Sequence, residues 1–410
     1  MRKNHPHDEP SSRFEVVIEK LVFGGEGLGR HEGKVVFVPF TAPGDRAEVR
    51  AIERKKNFIR AEAVRILQPG PGRREPFCPH FLRCGGCQWQ HMDYQLQVDT
   101  KRSILQELFY HRIPATRGLN VSMEPSPLEY GYRSRARVQL RGQGAGAHAG
   151  FYRYHSRSVE DVALCPLFRP DLNRALQEVR RTHLAGEFGA PDQEIDLACA
   201  EDGRWACSLA LKGDPPSESG AGEPLNRSIG EFEYTVAPAA FFQANDALLS
   251  RLIAIVQELA SGGGSALDLY SGVGFFSLPL AGRYRGVVAV EEAPLAHYLC
   301  GLNIARARKE NVRAVCAEVR GWMEAAGSLA PPAFDLILLD PPRAGAGPEV
   351  MRQVVLWAPE TVLYVSCDPQ TLIRDLEPVC SGGYTIDAIV GLDMFPQTYH
   401  IETIVRLKRS

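Results

Sequence analysis

Thr361-Val362-Leu363-Tyr364-Val365-Ser366-Cys367-Asp368-Pro369 is the stretch around which this chain is organised. Its β-branched and aromatic run predicts a buried strand, and Asp-Pro marks an abrupt turn after it. One thiol, Cys367, is thereby placed on the loop at the strand's carboxyl end. In an open α/β sheet, ligands bind along that edge. A Cys after an apolar strand is as readily a small core residue, so its neighbours decide. Residues 268–274, Asp340-Pro341-Pro342-Arg343 and the tail 393–402 each supply a part that a nucleophilic Cys needs.

Working outward, residues 241–367 alternate strand and helix patterns. A helix is predicted over 246–260, with Leu248, Leu249, Leu252, Ile253, Val256 and Leu259 on one face. A strand follows at 266–270, then the tight turn Ser271-Gly272-Val273-Gly274 and a helix from 275. Further strands are predicted at 287–290, 313–316, 334–339 and 362–365, with a helix at 295–306. This order predicts a parallel sheet with helices on both faces.

The turn holds Gly272 and Gly274 but no third glycine, so the pyrophosphate apparatus of G-x-G-x-x-G is missing. Glu291 ends the next strand 19 residues after Gly272, where an acid binds ribose hydroxyls. That combination suits S-adenosylmethionine better than NAD. After the strand 334–339, the Pro-Pro turn presents Asp340 and Arg343. A methyltransferase acting on a base amino group usually has an aromatic residue at position 343 to stack on a flipped base. Arg343 therefore argues against an amine target. Cys367 offers other chemistry: carbon 5 of a pyrimidine becomes nucleophilic once a thiolate adds at carbon 6. A base must later remove the carbon-5 proton.

Upstream, residues 13–67 read as about five short strands broken by turns, a small β-barrel of OB type. The glycine run 24–29 is followed by strand and lacks the Lys-Ser/Thr of a phosphate loop. Beyond the linker 69–72, Cys78, Cys84 and Cys87 form C-x5-C-x2-C, with Cys165 the best fourth ligand. Four thiolates suit zinc or an iron–sulfur cluster, and three clustered cysteines with one distant one favour the latter. Helical spacing marks 94–111, β-like pieces mark 135–140, 195–199, 205–211 and 232–236, and 213–224 is a Pro/Gly/Ser/Glu loop. Cys199 and Cys207 read as core, and Cys300, Cys316 and Cys380 as packed thiols.

Net charge is −2, which gives no global argument for nucleic acid. Locally, 46–74 holds nine Arg/Lys against three Glu, and 132–157 carries six Arg interleaved with Tyr and Phe, both candidate RNA surfaces. No apolar run is long enough to cross a membrane. The polar residues 1–12 lack a secretory pattern, so a reducing cytoplasm is expected, without a disulfide framework.

Cys78–Cys87 with Cys165, "DLYSGVGFFSLPLA", "LLDPPRAGA", "YVSCDPQTLIRDL" and "DMFPQTYHIETIVRL" together resemble the RNA uracil-C5-methyltransferase family. The N-terminal "GGEGLGR…VFVPFTAPGD" resembles a TRAM domain, an RNA-binding OB-like barrel. The resemblance implies an α/β fold: a Rossmann-like class I S-adenosylmethionine-dependent methyltransferase domain, an N-terminal barrel and a central iron–sulfur/β domain. The implied division is 10–67 for the barrel, 68–93 with 116–238 for the central domain, and 94–115 with 239–410 for the methyltransferase.

Carried over by the same resemblance, Cys367 matches the nucleophile and Glu402 the carbon-5 proton acceptor. Gln243, Tyr270, Gly272, Gly274, Glu291, Glu318 and Asp340 fall on the methyl-donor site, with Gln243 and Asp340 also near the base. Phe275 stands where some members have Asn, and Glu318 where some have Asn or Asp beside adenine. Cys78, Cys84, Cys87 and Cys165 match the ligands of a 4Fe–4S cluster. The implied product is 5-methyluridine in structured RNA, with 23S ribosomal RNA the expected substrate and transfer RNA the alternative. A monomer without an obligate protein partner is expected. An RNA-binding protein with a degenerate catalytic domain is the competing reading, and intact Cys367, Glu402 and Asp340 speak against it.

Overall fold

The computed structural model describes residues 13–188, 190–209, 222–327 and 333–410. Strands β1 (Arg13–Leu21), β2 (Gly27–His31), β3 (Lys34–Val38), β4 (Arg46–Arg54) and β5 (Phe58–Gln68) close into a barrel in the order β1-β2-β3-β5-β4. Period-two alternation turns Val16, Ile18, Val36, Val38, Val49 and Ile59 into its core. The expected basic surface is largely neutralised. Arg46 pairs with Glu15, Arg50 with Glu62, Lys55 with Glu53, Arg60 with Glu26, Arg65 with Glu48 and Arg73 with the buried Asp45. Glu48, Glu53 and Glu62 belong to the stretch itself, and Glu15, Glu26 and Asp45 are brought to it from outside.

A loop carrying the first three cysteines leads to α1 (Tyr94–Arg112) and β6 (Val121–Glu124). The central sheet follows: β7 (Arg135–Arg141), β8 (His148–Tyr152), β9 (Val159–Asp161), α2 (Pro170–Leu184), β10 (Gln193–Cys199) and β11 (Trp205–Leu209). It runs antiparallel in the order β11-β10-β7-β8-β9, and α2 lays Leu172, Leu176 and Val179 on it. Most of the 213–224 loop, and the last two residues of the strand expected over 205–211, lie outside the described residues. The hairpin β12 (Leu225–Ile229) and β13 (Phe232–Val236) comes next.

The third unit comprises α3 (Asp246–Leu259), β14 (Gly263–Leu269), α4 (Ser277–Leu280), β15 (Tyr284–Glu291), α5 (Pro294–Arg306), β16 (Val312–Cys316) and α6 (Val319–Gly327). It continues through β17 (Leu336–Leu339), α7 (Gly347–Trp357), β18 (Thr361–Ser366), α8 (Pro369–Ser381), β19 (Tyr384–Leu392) and β20 (Glu402–Arg409). The sheet order is β16-β15-β14-β17-β18-β20-β19-β6, parallel from β16 to β18 with β20 antiparallel. Strands buried on both faces need continuous apolar runs, and Leu336–Leu339 and Thr361–Ser366 are buried throughout. Strand order reverses at β14 and β17, so a crevice opens at their carboxyl ends. This is the expected Rossmann-like arrangement.

Two segments placed in the central domain by sequence attach to the third unit instead, β6 as a strand of its sheet and the separate hairpin of β12 and β13 by hydrogen bonds to it. β6 pairs in parallel with β19. In β13, Tyr234 donates its hydroxyl to the Phe275 carbonyl (2.9 Å), and the Thr235 N–H donates to Asn303 (2.7 Å). Both are short pieces whose partners lie far along the chain. The helix expected from 275 is a single turn, Ser277–Leu280. Cys199 and Cys300 are buried as expected, whereas Cys316, read as packed, is exposed at the end of edge strand β16. Among the described residues, no helix is long and apolar enough to cross a membrane.

Candidate active site

A cavity of about 560 Å³ opens at the crevice. Its floor is the turn after β14, where Tyr270 (φ 62°) and Gly272 (φ 55°) both adopt left-handed conformations. The Gly274 N–H donates to the Ser271 carbonyl (2.9 Å) and closes the turn. The Gly272 N–H donates to Glu291 Oε2 (2.8 Å), and the Ala293 N–H donates to Oε1 (2.9 Å). Two backbone donors thus fix the Glu291 carboxylate at the cavity edge with lone pairs to spare. A Cβ added at Gly272 would meet nothing within 4 Å, so that backbone faces open space.

Behind the turn, Asp268 and Asp340 end adjacent strands. Burial pushes Asp268 up to about 7, against the hydrogen bond donated by Ser277 (2.5 Å). Burial also raises Asp340, and the Asp268 charge adds to it. Gln243 lines the cavity from the segment before α3. Its neighbour Asn245 caps that helix by accepting the Ala247 N–H (3.2 Å).

Cys367 and Glu402 reach the same cavity from β18 and β20. Burial pushes the Cys367 thiol up to about 12; Glu402 and Asp340 add to this, and Arg343 opposes it by charge and hydrogen bond. Glu402 is fully enclosed and raised well above the carboxylate range by burial and then by Asp340, again opposed by Arg343. Arg343 thus acts on both groups, favouring the ionised form of each.

Of the residues expected at the donor site, Gln243, Tyr270, Gly272, Glu291 and Asp340 meet in this cavity, and Gly274 and Glu318 do not line it. A Cβ at Gly274 would stand 3.0 Å from Cys300 Sγ, so this glycine permits close packing under α5. Glu318 accepts the N–H groups of Arg320 (3.1 Å) and Gly321 (2.7 Å) and caps α6. Phe275 packs among Tyr234, Phe242 and Phe276. Sequence reasoning missed His400, which lines the cavity. Burial, with the charges of Arg343, Lys101 and Arg133, lowers it to about 3, so its imidazole is neutral. Its spacing of two from Glu402 was the available signal, since alternate residues in extended chain share a face.

A groove of about 340 Å³ adjoins the cavity and shares Phe241, Gln243 and Arg343 with it, continuing past Arg133 and Arg137. Arg135 donates to the carbonyls of Ala237 (3.3 Å), Pro238 (2.7 Å) and Ala240 (2.5 Å). It braces the turn that leaves the Phe241 ring 72% exposed. Several arginines of 132–157 are therefore structural: Arg137 pairs with Asp196 and Arg153 with Glu160.

Cys78, Cys84, Cys87 and Cys165 line one separate cavity of about 50 Å³, several times the ~10–15 Å³ that one water needs. Burial raises the Cys87 and Cys165 thiols, and Cys78 and Cys84 add to both shifts. Among the described residues, no three His, Cys, Asp or Glu side chains converge on a position for a single metal ion.

The strand order and the glycine–acid edge define a class I methyltransferase. Residues 222–410 match the family described as tRNA (Uracil-5-)-methyltransferase, and residues 9–64 match the TRAM domain. The 23S rRNA (uracil(1939)-C(5))-methyltransferase RlmD of Pectobacterium atrosepticum is 33% identical over 96% of this chain and 93% of its own. An uncharacterized RNA methyltransferase of Synechocystis is 33% identical over 98% and 96%. Among solved structures, the Pyrococcus abyssi tRNA (uracil-54, C5)-methyltransferase, in complex with S-adenosyl-L-homocysteine, has a TM-score of 0.73 at 27% identity, covering 96% of this chain and 100% of its own. The chain belongs to the RNA uracil-C5-methyltransferase family and is an enzyme of that class.

Proposed function

We propose that this enzyme methylates carbon 5 of a uridine in 23S ribosomal RNA through a covalent adduct on Cys367. The observation that carries this is one cavity holding the Cys367 thiol, the Glu402 carboxyl and the Gly272–Glu291 edge. End-to-end similarity to enzymes named for 23S rRNA supports the substrate. The Pyrococcus relative, named for tRNA, supports the same chemistry on another RNA.

The cavity has the size of a small-molecule site. Glu291 would accept hydrogen bonds from ribose hydroxyls, Gly272 leaves room for the ligand backbone, and Gln243, Tyr270 and Asp340 complete the wall. When bound, S-adenosylmethionine supplies a methyl group on a cationic sulfonium. Arg343 favours the Cys367 thiolate, which adds to carbon 6 of the uracil and pushes charge onto the ring oxygen as an enolate. Asp340, kept protonated by burial, is suited to donate a hydrogen bond to that ring. Carbon 5 then takes the methyl group. Glu402 removes the carbon-5 proton as the bond to Cys367 breaks, returning the thiolate and 5-methyluridine. In the empty cavity Glu402 holds its own proton. A neighbouring cation lowers that affinity, and loss of the cation on methyl transfer raises it again, at the step needing a base.

Cys78, Cys84, Cys87 and Cys165 would hold a 4Fe–4S cluster as thiolates. Four soft anionic ligands around a volume suit a multi-iron group better than one ion, and binding would displace the protons that burial keeps on Cys84, Cys87 and Cys165. Such a cluster supplies a structural tie and one-electron chemistry, of which methyl transfer uses none. RNA would approach along the Arg133–Phe241 groove, phosphates toward the guanidinium groups and a base on the exposed ring. Ten free thiols suit a reducing cytoplasm, and a monomer suffices because one chain lines the whole cavity.

Mass-spectrometric mapping of 5-methyluridine in RNA from cells with and without this gene tests the assignment. Loss at one 23S position is expected. Loss only in transfer RNA would reassign the substrate, and no loss in any RNA would overturn the activity.

A further inference from the structure

The wall of the cavity that carries His400 and Glu402 follows an irregular segment, 393–401, between β19 and β20. Gln397 sits in the middle of it, fully buried and with φ 71°, a left-handed conformation unfavourable for a residue with a Cβ. Such a conformation persists only where the surroundings over-determine it. Here every polar atom of Gln397 is engaged, by residues 74, 88–89, 97 and 129. Its carbonyl accepts the N–H groups of Gln88 and Trp89, both at 3.0 Å. Its own N–H donates to Gln97 Oε1 (2.9 Å), and its Oε1 accepts from Gln97 Nε2 (3.0 Å) and Arg74 (3.4 Å). Its Nε2 donates to Glu129 (3.4 Å). Gln97 is itself fully buried and also donates to the carbonyls of Trp89 (3.2 Å) and Met92 (3.0 Å).

The two backbone donors directly follow Cys87, the third cysteine of the thiol cavity. Downstream, Thr398 Oγ1 donates to the Phe395 carbonyl (2.8 Å) and accepts the His400 N–H (3.2 Å). Tyr399 packs against Phe23 and the Gly25 turn of the barrel, and its ring lies 4.3 Å from that of His400. Cys367, by contrast, follows β18, which is held by β17 on one side and by β20 from Thr403 onward on the other, and its loop is capped by Asp368 at the start of α8.

We propose that Gln397 is the positioning residue for the proton-removing wall of the cavity, tying the segment before Glu402 to the cysteine loop. The proposal rests on Glu402 being the carbon-5 base. Glu402 is the first residue of β20, at the end of its ladders, so slack at Gln397 would reach it within five residues, whereas the thiol and the donor edge are held from other strands. Addition and methyl transfer should therefore survive its loss, while elimination suffers.

Gln397→Ala and its partner variant Gln97→Ala test this in single-turnover reactions with uridine RNA and S-adenosylmethionine, beside Glu402→Gln. Each glutamine variant should release product about 10²-fold more slowly, the cost of misplacing a reacting group by ~1 Å. A methylated covalent protein–RNA complex should build up, with donor affinity and KM for RNA within about twofold of wild type. The double variant should be no slower than the slower single one, since both cut the Gln97–Gln397 side-chain pair and both keep the backbone bonds from Gln88 and Trp89. Equal slowing of addition, transfer and release, or a raised KM without the complex, would make Gln397 a general structural knot and overturn the proposal. If Gln397→Ala fails to fold, Gln97→Ala decides by the same readouts. Turnover of Glu402→Gln without the complex would instead refute the role of Glu402.

Discussion

Cys367 and Glu402 stand opposite each other at the end of one antiparallel ladder. Ser366 of β18 pairs with Thr403 of β20, so the next residue outward is the thiol on one strand and the carboxyl on the other. Register is a rigid ruler, because a slip by one residue turns every side chain to the other face. Burial then raises both groups, and Arg343 alone among the charges acting on them favours their ionised forms.

The raised thiol makes Cys367 slow to react in RNA-free protein. Its pKa is pushed up to about 12, so the thiolate fraction at neutral pH is very small. Alkylation by iodoacetamide should accelerate about tenfold per pH unit up to that value, since only the thiolate reacts. Peptide mapping of Cys367 against pH measures it. A plateau below about pH 9 would contradict the burial argument.

Replacing Arg343 removes the cation that opposes the carboxyls. Arg343→Gln should slow covalent addition by about 10–10²-fold, the equivalent of a charge-assisted hydrogen bond. It should move the alkylation profile of Cys367 further toward alkaline pH, because the lost interaction lowered the thiol pKa. An unchanged profile would place the guanidinium elsewhere in the working enzyme.

Lys101 and Asp393 form an ion pair (2.6 Å) in which both side chains are fully buried. Lys101→Met should cost about 3–5 kcal/mol by leaving a buried charge alone, and adding Asp393→Leu should recover much of that. Urea unfolding of the single and double variants checks this. A mild single variant would mean that water reaches Asp393.

Phe241 is braced outward by Arg135 beside the groove. Phe241→Ala should weaken RNA binding by about 1–3 kcal/mol, Phe241→Trp should restore it, and donor affinity should hold. Equal binding by the Ala variant would remove the ring from the RNA path.

How much of this was legible beforehand follows from the range of each interaction. The strand ending at Cys367, the Asp340–Arg343 turn and the Gly272–Glu291 pair were readable because each is a local pattern with a fixed place on a parallel sheet. Positions that depend on distant partners were not. β6 looks like any short polar strand until β19 is beside it. Glu318 matches a donor-site position in sequence, and its place as the cap of α6 shows only in the fold. The basic stretch 46–74 loses part of its apparent surplus to Glu15, Glu26 and Asp45, which lie outside it in sequence. Gln397 carries no local signal, since its partners come from residues 74, 88–89, 97 and 129.

The four-cysteine cavity predicts that anaerobically purified protein carries about four irons and four sulfides per chain. Cys165→Ala should lose them. Stoichiometric zinc without sulfide would contradict the cluster.

The most direct test of the central claim is the intact mass of the protein after reaction with uridine RNA and S-adenosylmethionine, for wild type, Glu402→Gln and Cys367→Ala. Covalent catalysis by Cys367 with release by Glu402 predicts free methylated RNA from wild type. It predicts a methylated protein–RNA complex from Glu402→Gln and neither product nor complex from Cys367→Ala. A complex that persists in Cys367→Ala, or rapid turnover of Glu402→Gln without one, would contradict it.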